Sequence, residues 1–337
     1  MEAIVLKDFG GTENFELQTA LKINEPGQQQ VLVKIYASGF NPIDYQMRKG
    51  GPERARLHSR ILGRELSGIV EKTGTGVTNF KIGDEVFAAS GSMGSNGTYA
   101  QYILVPESIL AVKPDRLSFH EAAAIPVAYL TALQVYDRLQ INKTESILIA
   151  GGAGGVGLAL IKLLIAAGHA RLIATAGSPE SHDILIDSGL LPQQIVNYKQ
   201  DDLIDKLRTA NAGEDFDYCV DLVGAAISEV GAEALKLNGT FADVTALSTE
   251  KARSSLFNKG ATVINISNYA YSLYHQYDWY GKNLKRIANM IDVGVIKAPP
   301  VRVFKGLSIE SVTEAHRILE ENGTLGHKLV MSVIDKL

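Results

Sequence analysis

The stretch Ser146-Ile147-Leu148-Ile149-Ala150-Gly151-Gly152-Ala153-Gly154-Gly155-Val156-Gly157 decides how the rest of the chain reads. Its first five residues form a short aliphatic run of the kind buried in a sheet, and an apolar segment from Gly155 to Gly168 reads as a helix closed by glycine. Between them, Gly152, Gly154 and Gly157 fit the spacing G-x-G-x-x-G. Gly152 permits the tight turn. Gly154 lets backbone approach a pyrophosphate, and Gly157 lets the helix close on the strand. The helix N-terminus adds free N–H groups and the positive end of a dipole. No Lys-Ser/Thr pair ends the loop, which excludes a Walker A site. Strand, glycine loop and helix together point to dinucleotide binding.

Downstream of this unit the pattern alternates. Strands are expected at 171–175, 194–197, 216–222, 239–244 and 261–267, with helices at 179–188, 201–210 and 225–235. Six strands with crossover helices make a doubly wound parallel sheet. Upstream, residues 1–115 read as short strands (4–6, 31–36, 68–71, 85–88, 99–105) punctuated by Gly, Pro, Asn and Asp, which suggests a partly closed β-barrel. Residues 119–139 read as helical, with Pro126 forcing a kink or restart. Beyond 268 the alternation stops. A helix near 280–293, a strand at 301–304, a helix at 308–322 and a strand at 328–333 are expected to return to the first domain. Tyr269, Tyr271, Tyr274, Tyr277, Trp279 and Tyr280 cluster there. They fit a cleft for flat molecules, a dimer surface, or packing of a crossover segment.

Length and charge narrow the class. The 337 residues suffice for about two domains. Lys plus Arg number 33 and Asp plus Glu 37, a net charge of −4, and the pI is near 6.0, so nothing favours nucleic acid or an anionic membrane. The single cysteine, Cys219, excludes an intramolecular disulfide and any multi-cysteine metal site, and reads as an inert buried thiol. The seven histidines form no HExxH and no pair at i, i+4. The N-terminus lacks a signal-peptide pattern, and the apolar stretch 156–167 is broken by Lys162 and too short to span a bilayer. A cytoplasmic protein is expected.

An ordered set of further motifs carries a family resemblance. These are Asn41-Pro-Ile-Asp-Tyr-Gln-Met-Arg-Lys-Gly50, Leu62-Gly-Arg-Glu-Leu-Ser-Gly68, Gly83-Asp-Glu-Val-Phe87, Gly97-Thr-Tyr-Ala-Gln-Tyr102, Ala122-Ala-Ala-Ile-Pro126 with Thr131-Ala132, the glycine loop, and Phe216-Asp-Tyr-Cys-Val-Asp221. The chain resembles the zinc-independent branch of the medium-chain dehydrogenase/reductase superfamily, in its quinone oxidoreductase-like group. The resemblance implies an α/β architecture in which a GroES-like β-barrel catalytic domain (1–121 and 270–337) is interrupted by a Rossmann domain (122–269). It implies hydride transfer from NADPH to a quinone or an α,β-unsaturated carbonyl, a small-molecule substrate made electrophilic by conjugation. Alternatives are an enoyl-thioester or alkenal reductase, or a catalytically weak nucleotide-binding structural or regulatory protein.

The same resemblance assigns residues. Asn41 and Tyr45 are the catalytic candidates, since it places 41–50 beside the nicotinamide; an amide can hold an oxygen and a phenol can donate a hydrogen bond or proton. Asp44 and Arg48 are expected to organise this loop by pairing. Thr131, Val223 and Lys328 are cofactor contacts, with Asn41, Gly152, Ala153, Gly154, Gly155 and Val156. Ser178, His182 and Tyr198 fall at the ribose 2′-phosphate, with Arg171 or Lys199 as further cations. No carboxylate follows the second strand until Glu180, which favours NADPH over NADH. Zinc-dependent relatives hold metal with Cys and His in the segments matching 39–44 and 63–65. Here the first has no Cys, and Arg64 stands at the histidine position; a guanidinium has no lone pair for a metal. A metal-free protein is expected. Ala261–Ser267, apolar and β-branched, reads as an edge strand that pairs with its copy in a homodimer.

Overall fold

The first strand, β1 (Ala3–Leu6), pairs with β2 (Phe15–Gln18) in a two-stranded ribbon, and a ten-residue strand, β3 (Gln30–Gly39), follows. The structure, a computed structural model, describes residues 1–334. The last three residues of the expected 270–337 segment lie outside the described residues. Helix α1 (Pro42–Lys49) comes next. Its N-cap, Asn41, is extended and donates its backbone N–H to Asp44 Oδ2 at 2.9 Å. Pro42 loses no hydrogen bond in the first turn. Gly50 ends the helix at φ +76°, where a Cβ would be strained. The strands β4 (Glu65–Thr73), β5 (Glu85–Ala89), β6 (Tyr102–Pro106) and β7 (Ala111–Val112) complete this part. Helix α2 (Phe119–Ala123), boxed by Ser118 and Glu121, is separate from α3 (Pro126–Leu139), so the chain restarts its helix at Pro126.

Strand and helix then alternate: β8 (Ile147–Ala150), α4 (Gly155–Ala166), β9 (Leu172–Ala176), α5 (Pro179–Asp187), β10 (Ile195–Asn197) and α6 (Leu203–Ala210). The series continues with β11 (Phe216–Asp221), α7 (Ala226–Glu233), β12 (Leu235–Asp243), α8 (Glu250–Asn258) and β13 (Thr262–Asn265). The chain closes with α9 (Asn268–Leu273), α10 (Asp278–Asp292), β14 (Val301–Lys305), α11 (Ile309–Glu320) and β15 (Lys328–Ser332). Contacts divide it into two units, Met1–Leu130 with Tyr269–Leu337, and Thr131–Asn268.

In the second unit the six strands are parallel in the order β10-β9-β8-β11-β12-β13, the doubly wound arrangement. The order reverses between β8 and β11, where such sheets bind ligands. Leu148, Phe216, Cys219 and Phe241 form part of its buried core, and burial pushes the Cys219 thiol well up. The sequence places a helix to Leu235 and a strand from Gly239; instead β12 already begins at Leu235. The reason is packing: Ala234 and Leu235 are fully buried in that core, and a register shift beside Phe216 absorbs the extra length. β13 lies at the sheet edge, bonded only to β12 among the described strands.

In the first unit the sheet runs β14-β15-β3-β4-β5-β7, with β6 also on β3. The chain end thus returns to the N-terminal sheet. The β3–β4 pairing slips at Leu32/Val33 and Ile35/Ala37, and such bulges bend a sheet toward closure. Antiparallel pairing sets Val330 opposite Gly39, and Gly39 opposite Glu65. The registers therefore gather the starts of β15 and β4 and the N-cap of α1 at one end of β3.

Candidate functional site

The glycine loop occupies the turn from β8 to α4. Gly151 sits at φ +87°, and its N–H donates to Thr175 Oγ1 at 2.9 Å. A Cβ on Gly152 would stand 2.7 Å from Ala174 Cβ, and one on Gly157 2.5 Å from Gly152 O, so packing demands glycine at both. Gly154 differs. Its φ is −77°, and a Cβ there would meet only Gly151 O at 3.4 Å. Neither conformation nor packing requires glycine there. What its missing side chain leaves is bare backbone at the start of α4, with no side-chain cap over the first N–H groups, around Gly155 and Val156. With Ala153 these residues form a cradle that fits a pyrophosphate. Behind it, Asp221 Oδ1 accepts from the N–H groups of Val223 (3.0 Å) and Gly224 (2.8 Å), shaping the turn that leaves Val223 exposed. Thr131 Oγ1 accepts from Asn268 Nδ2 at 2.9 Å.

Beside the end of β9 lies a cavity of about 600 Å³ lined by Ser178, His182, Asn197, Gln200 and Lys206 among others. Ser178 caps α5, accepting from Ser181 N at 3.2 Å. The Tyr198 ring lies against Gly177, where any Cβ would be 2.5 Å from it. His182 is half-buried, its Nδ1 3.6 Å from Asp183 Oδ1. One sequence expectation changes here, and one lining residue is new. Arg171 precedes β9, at the opposite end of the strand, and is engaged by Thr144 O (3.1 Å) and Asn211 Oδ1 (3.3 Å). Lys206, in α6, instead lines the cavity. No motif marks it.

In the first unit the polar centre is buried. Lys328 Nζ donates to Glu65 Oε1 (2.7 Å), Asn41 Oδ1 (2.8 Å) and Phe40 O (3.1 Å), which engages all three of its donors. Glu65 Oε1 also accepts from Asn41 Nδ2 (2.8 Å), and its Oε2 from Val127 N (2.7 Å). Asn41 keeps one amide N–H beyond this set. Asp44 and Arg48 do not pair with each other. The Arg48 side chain reaches Glu320 and Gly10 O, and its Nε donates to His316 Nδ1 at 3.3 Å. That bond makes Nδ1 the acceptor, so the proton of His316 sits on Nε2 and donates to the Tyr99 phenol oxygen, Oη, at 3.1 Å. Burial, with the Arg48 charge, lowers His316 to about 3 and keeps it neutral. Asp44 is fully buried with Oδ1 unpartnered, and burial raises it to about 7. Arg48 thus ties α1 to α11 through Glu320 and His316, a grouping that the motif 41–50 by itself does not contain.

Tyr45 is half-buried on α1, with Lys49 Nζ 5.4 Å from its ring centre. The tyrosine-rich segment belongs to α9 and α10. Tyr271 and Trp279 stack at 4.0 Å, Trp279 meets Tyr280 edge-on, and Arg56 lies over Tyr269 at 5.2 Å. Tyr280 is buried, and burial raises its phenol to about 12; Tyr274 is exposed.

A family model for the alcohol dehydrogenase GroES-like domain matches residues 27–115, and one for zinc-binding dehydrogenases matches 192–330. Quinone oxidoreductase of Rattus norvegicus is 32% identical over 224 residues, 66% of this chain and 66% of that protein, just under two thirds of its length. The Homo sapiens quinone oxidoreductase is 28% identical over 334 residues, 98% of each. A mycobacterial structure complexed with NADPH superposes with a TM-score of 0.85 at 25% identity, covering 98% of this chain and 100% of that one. The chain belongs to the medium-chain dehydrogenase/reductase superfamily, in its quinone oxidoreductase-like group. In this superfamily member no group of three His, Cys, Asp or Glu among the described residues is placed to hold a metal ion. No helix of this medium-chain dehydrogenase/reductase, among the described residues, is long and apolar enough to cross a membrane.

Proposed function

We propose that this chain is an NADPH-dependent reductase of quinones or α,β-unsaturated carbonyls that works without a metal, as a cytoplasmic homodimer. The observation that carries the cofactor reading is Gly154, a glycine that nothing inside the fold requires, at the open N-terminus of α4. Bound NADPH supplies a hydride to an electrophilic carbon. The chain's own residues bind and orient. Gly152, Ala153, Gly154, Gly155 and Val156 hold the pyrophosphate through backbone N–H groups. Val223 and the Thr131 hydroxyl add contacts to the nucleotide. Ser178, His182, Tyr198 and Lys206 hold the 2′-phosphate, a dianion that favours the cavity's donors and cation. The free amide N–H of Asn41 and the Tyr45 hydroxyl are donors for the oxygen of the acceptor. Lys328 serves that set indirectly, by fixing the Asn41 carbonyl.

The acceptor class rests on the likeness to quinone oxidoreductases and on Arg64, which stands where a metal-binding relative needs histidine. The test follows NADPH oxidation against quinones, enals, enoyl thioesters and simple alcohols, with and without a chelator. Turnover of quinones or enals that ignores the chelator is expected. Turnover that a chelator abolishes and added zinc restores would overturn the metal-free part. Preference for enoyl thioesters would move the chain to that reductase class.

A further inference from the structure

Arg64 is the side chain of the first unit that the network above leaves aside. It stands between Gly63 and Glu65, immediately before β4. Its guanidinium is half-buried and forms no ion pair among the described residues; its hydrogen-bond contact is Met47 Sδ at 3.6 Å, a weak acceptor. The carboxyl that acts on it is Asp44, which burial raises from its ordinary value to about 7. Neighbouring charge adds to the deficit of anions. Arg56 is close enough to repel it, and the Arg64 charge, after burial, lowers His58. Around it stand the phenols of Tyr269 and Tyr280. A planar fork of five donors, partly out of water, with a thioether as partner, is a site that lacks its oxygen.

We propose that Arg64 binds the carbonyl oxygen of the acceptor and stabilises the negative charge that grows on it. This rests on the reading of the chain as a reductase of conjugated carbonyls. As the acceptor carbon gains a hydride from the reduced nicotinamide, the π electrons of the conjugated system move onto the oxygen. The resulting enolate then takes one proton from water and the cofactor is left oxidised; for a quinone, the new ring C–H then gives its proton to water while the second oxygen takes one up, which leaves the hydroquinone. A guanidinium stays protonated throughout, so Arg64 stabilises this charge without giving up a proton. Its flat face also suits conjugated acceptors between aromatic walls.

The test uses Arg64→Met, Arg64→Lys and Arg64→Ala in the full chain. For Arg64→Met, kcat with the best quinone or enal falls about 10²- to 10³-fold, while the Kd for NADPH and the Trp279 melting curve stay as in the parent. Guanidinium ion added to Arg64→Ala restores turnover and methylammonium does not; a purely structural role gives no such rescue. 4-Nitrophenolate, an oxyanion probe that needs no turnover, binds the parent at least about tenfold more tightly than Arg64→Met. Retention of kcat within threefold, or equal 4-nitrophenolate binding by both proteins, overturns the proposal. A parent that binds the probe through Arg64 but reduces no quinone or enal overturns the function and leaves the oxyanion site standing.

Discussion

Replacing Lys328 with methionine tests the buried centre of the first unit. Lys328 is 7% exposed and Glu65 0% exposed, with the ammonium 2.7 Å from the carboxylate. Removing one partner of a buried ion pair typically costs about 3–5 kcal/mol, because the remaining charge is stranded. Glu65 would retain its bonds from Asn41 Nδ2 and Val127 N, which sets the expectation at the low end, about 3 kcal/mol. At about 2–4 °C per kcal/mol for a unit of this size, melting should fall by about 6–12 °C. The double variant Lys328→Met/Glu65→Gln leaves no charge behind and should recover at least half of that loss. Trp279, the only tryptophan in the sequence, lies in the first unit and stacks on Tyr271, so its fluorescence reports the melting of that unit. A Lys328→Met melting point within about 2 °C of the parent, or a double variant no better than the single one, would refute the reasoning. A lysine that acted mainly by touching the cofactor would instead weaken NADPH binding with melting unchanged.

Gly154→Ala should leave melting unchanged but weaken NADPH binding by about tenfold or more in a fluorescence titration. Gly157→Ala should lower the melting temperature itself, since its Cβ would stand 2.5 Å from Gly152 O and overpacking costs about 1–3 kcal/mol. Lys206→Ala should weaken NADPH by about three- to tenfold and leave NADH unchanged; equal losses for both would remove the 2′-phosphate assignment. Asp44→Asn bears on pH. Burial raises the folded carboxyl to about 7 from its ordinary 3.8, so the folded state holds a proton that the unfolded state releases. Stability therefore falls as pH rises from about 4 to about 7. The asparagine variant should show a shallower fall across that window by denaturant titration, and an unchanged slope would sink the assignment. The exposed edge of β13 predicts a homodimer, and a concentration-independent monomer mass by light scattering counts against it.

How far the sequence reads depends on the range of the forces concerned. The alternation from Ile147 to Asn265 is written in residues a few positions apart, because helix and strand periodicity and the glycine turn are local. The same holds for the restart at Pro126, where a missing N–H acts on its own turn. The helix expected to Leu235 ends earlier because Ala234 and Leu235 are buried beside Phe216, a contact that lies outside the local pattern of 225–235. Lys206 was missed because it belongs to an exposed helix face, and nothing in its neighbours tells it from any solvated lysine.

The sequence by itself determined the doubly wound sheet and the glycine turn from β8 to α4 around Gly154. Only the tertiary structure decided who meets whom. Lys328 and Glu65 are 263 residues apart, and Arg48 and Glu320 are 272 apart. The first encounter depends on the register that sets β15 and β4 on the two sides of β3, where a one-residue slip would turn each strand side chain to the opposite face, and the second on the meeting of helices α1 and α11. Register and helix packing come from contacts between whole elements, and so the direction of Lys328, the true partner of Arg48 and the surroundings of Arg64 emerge only when those elements meet.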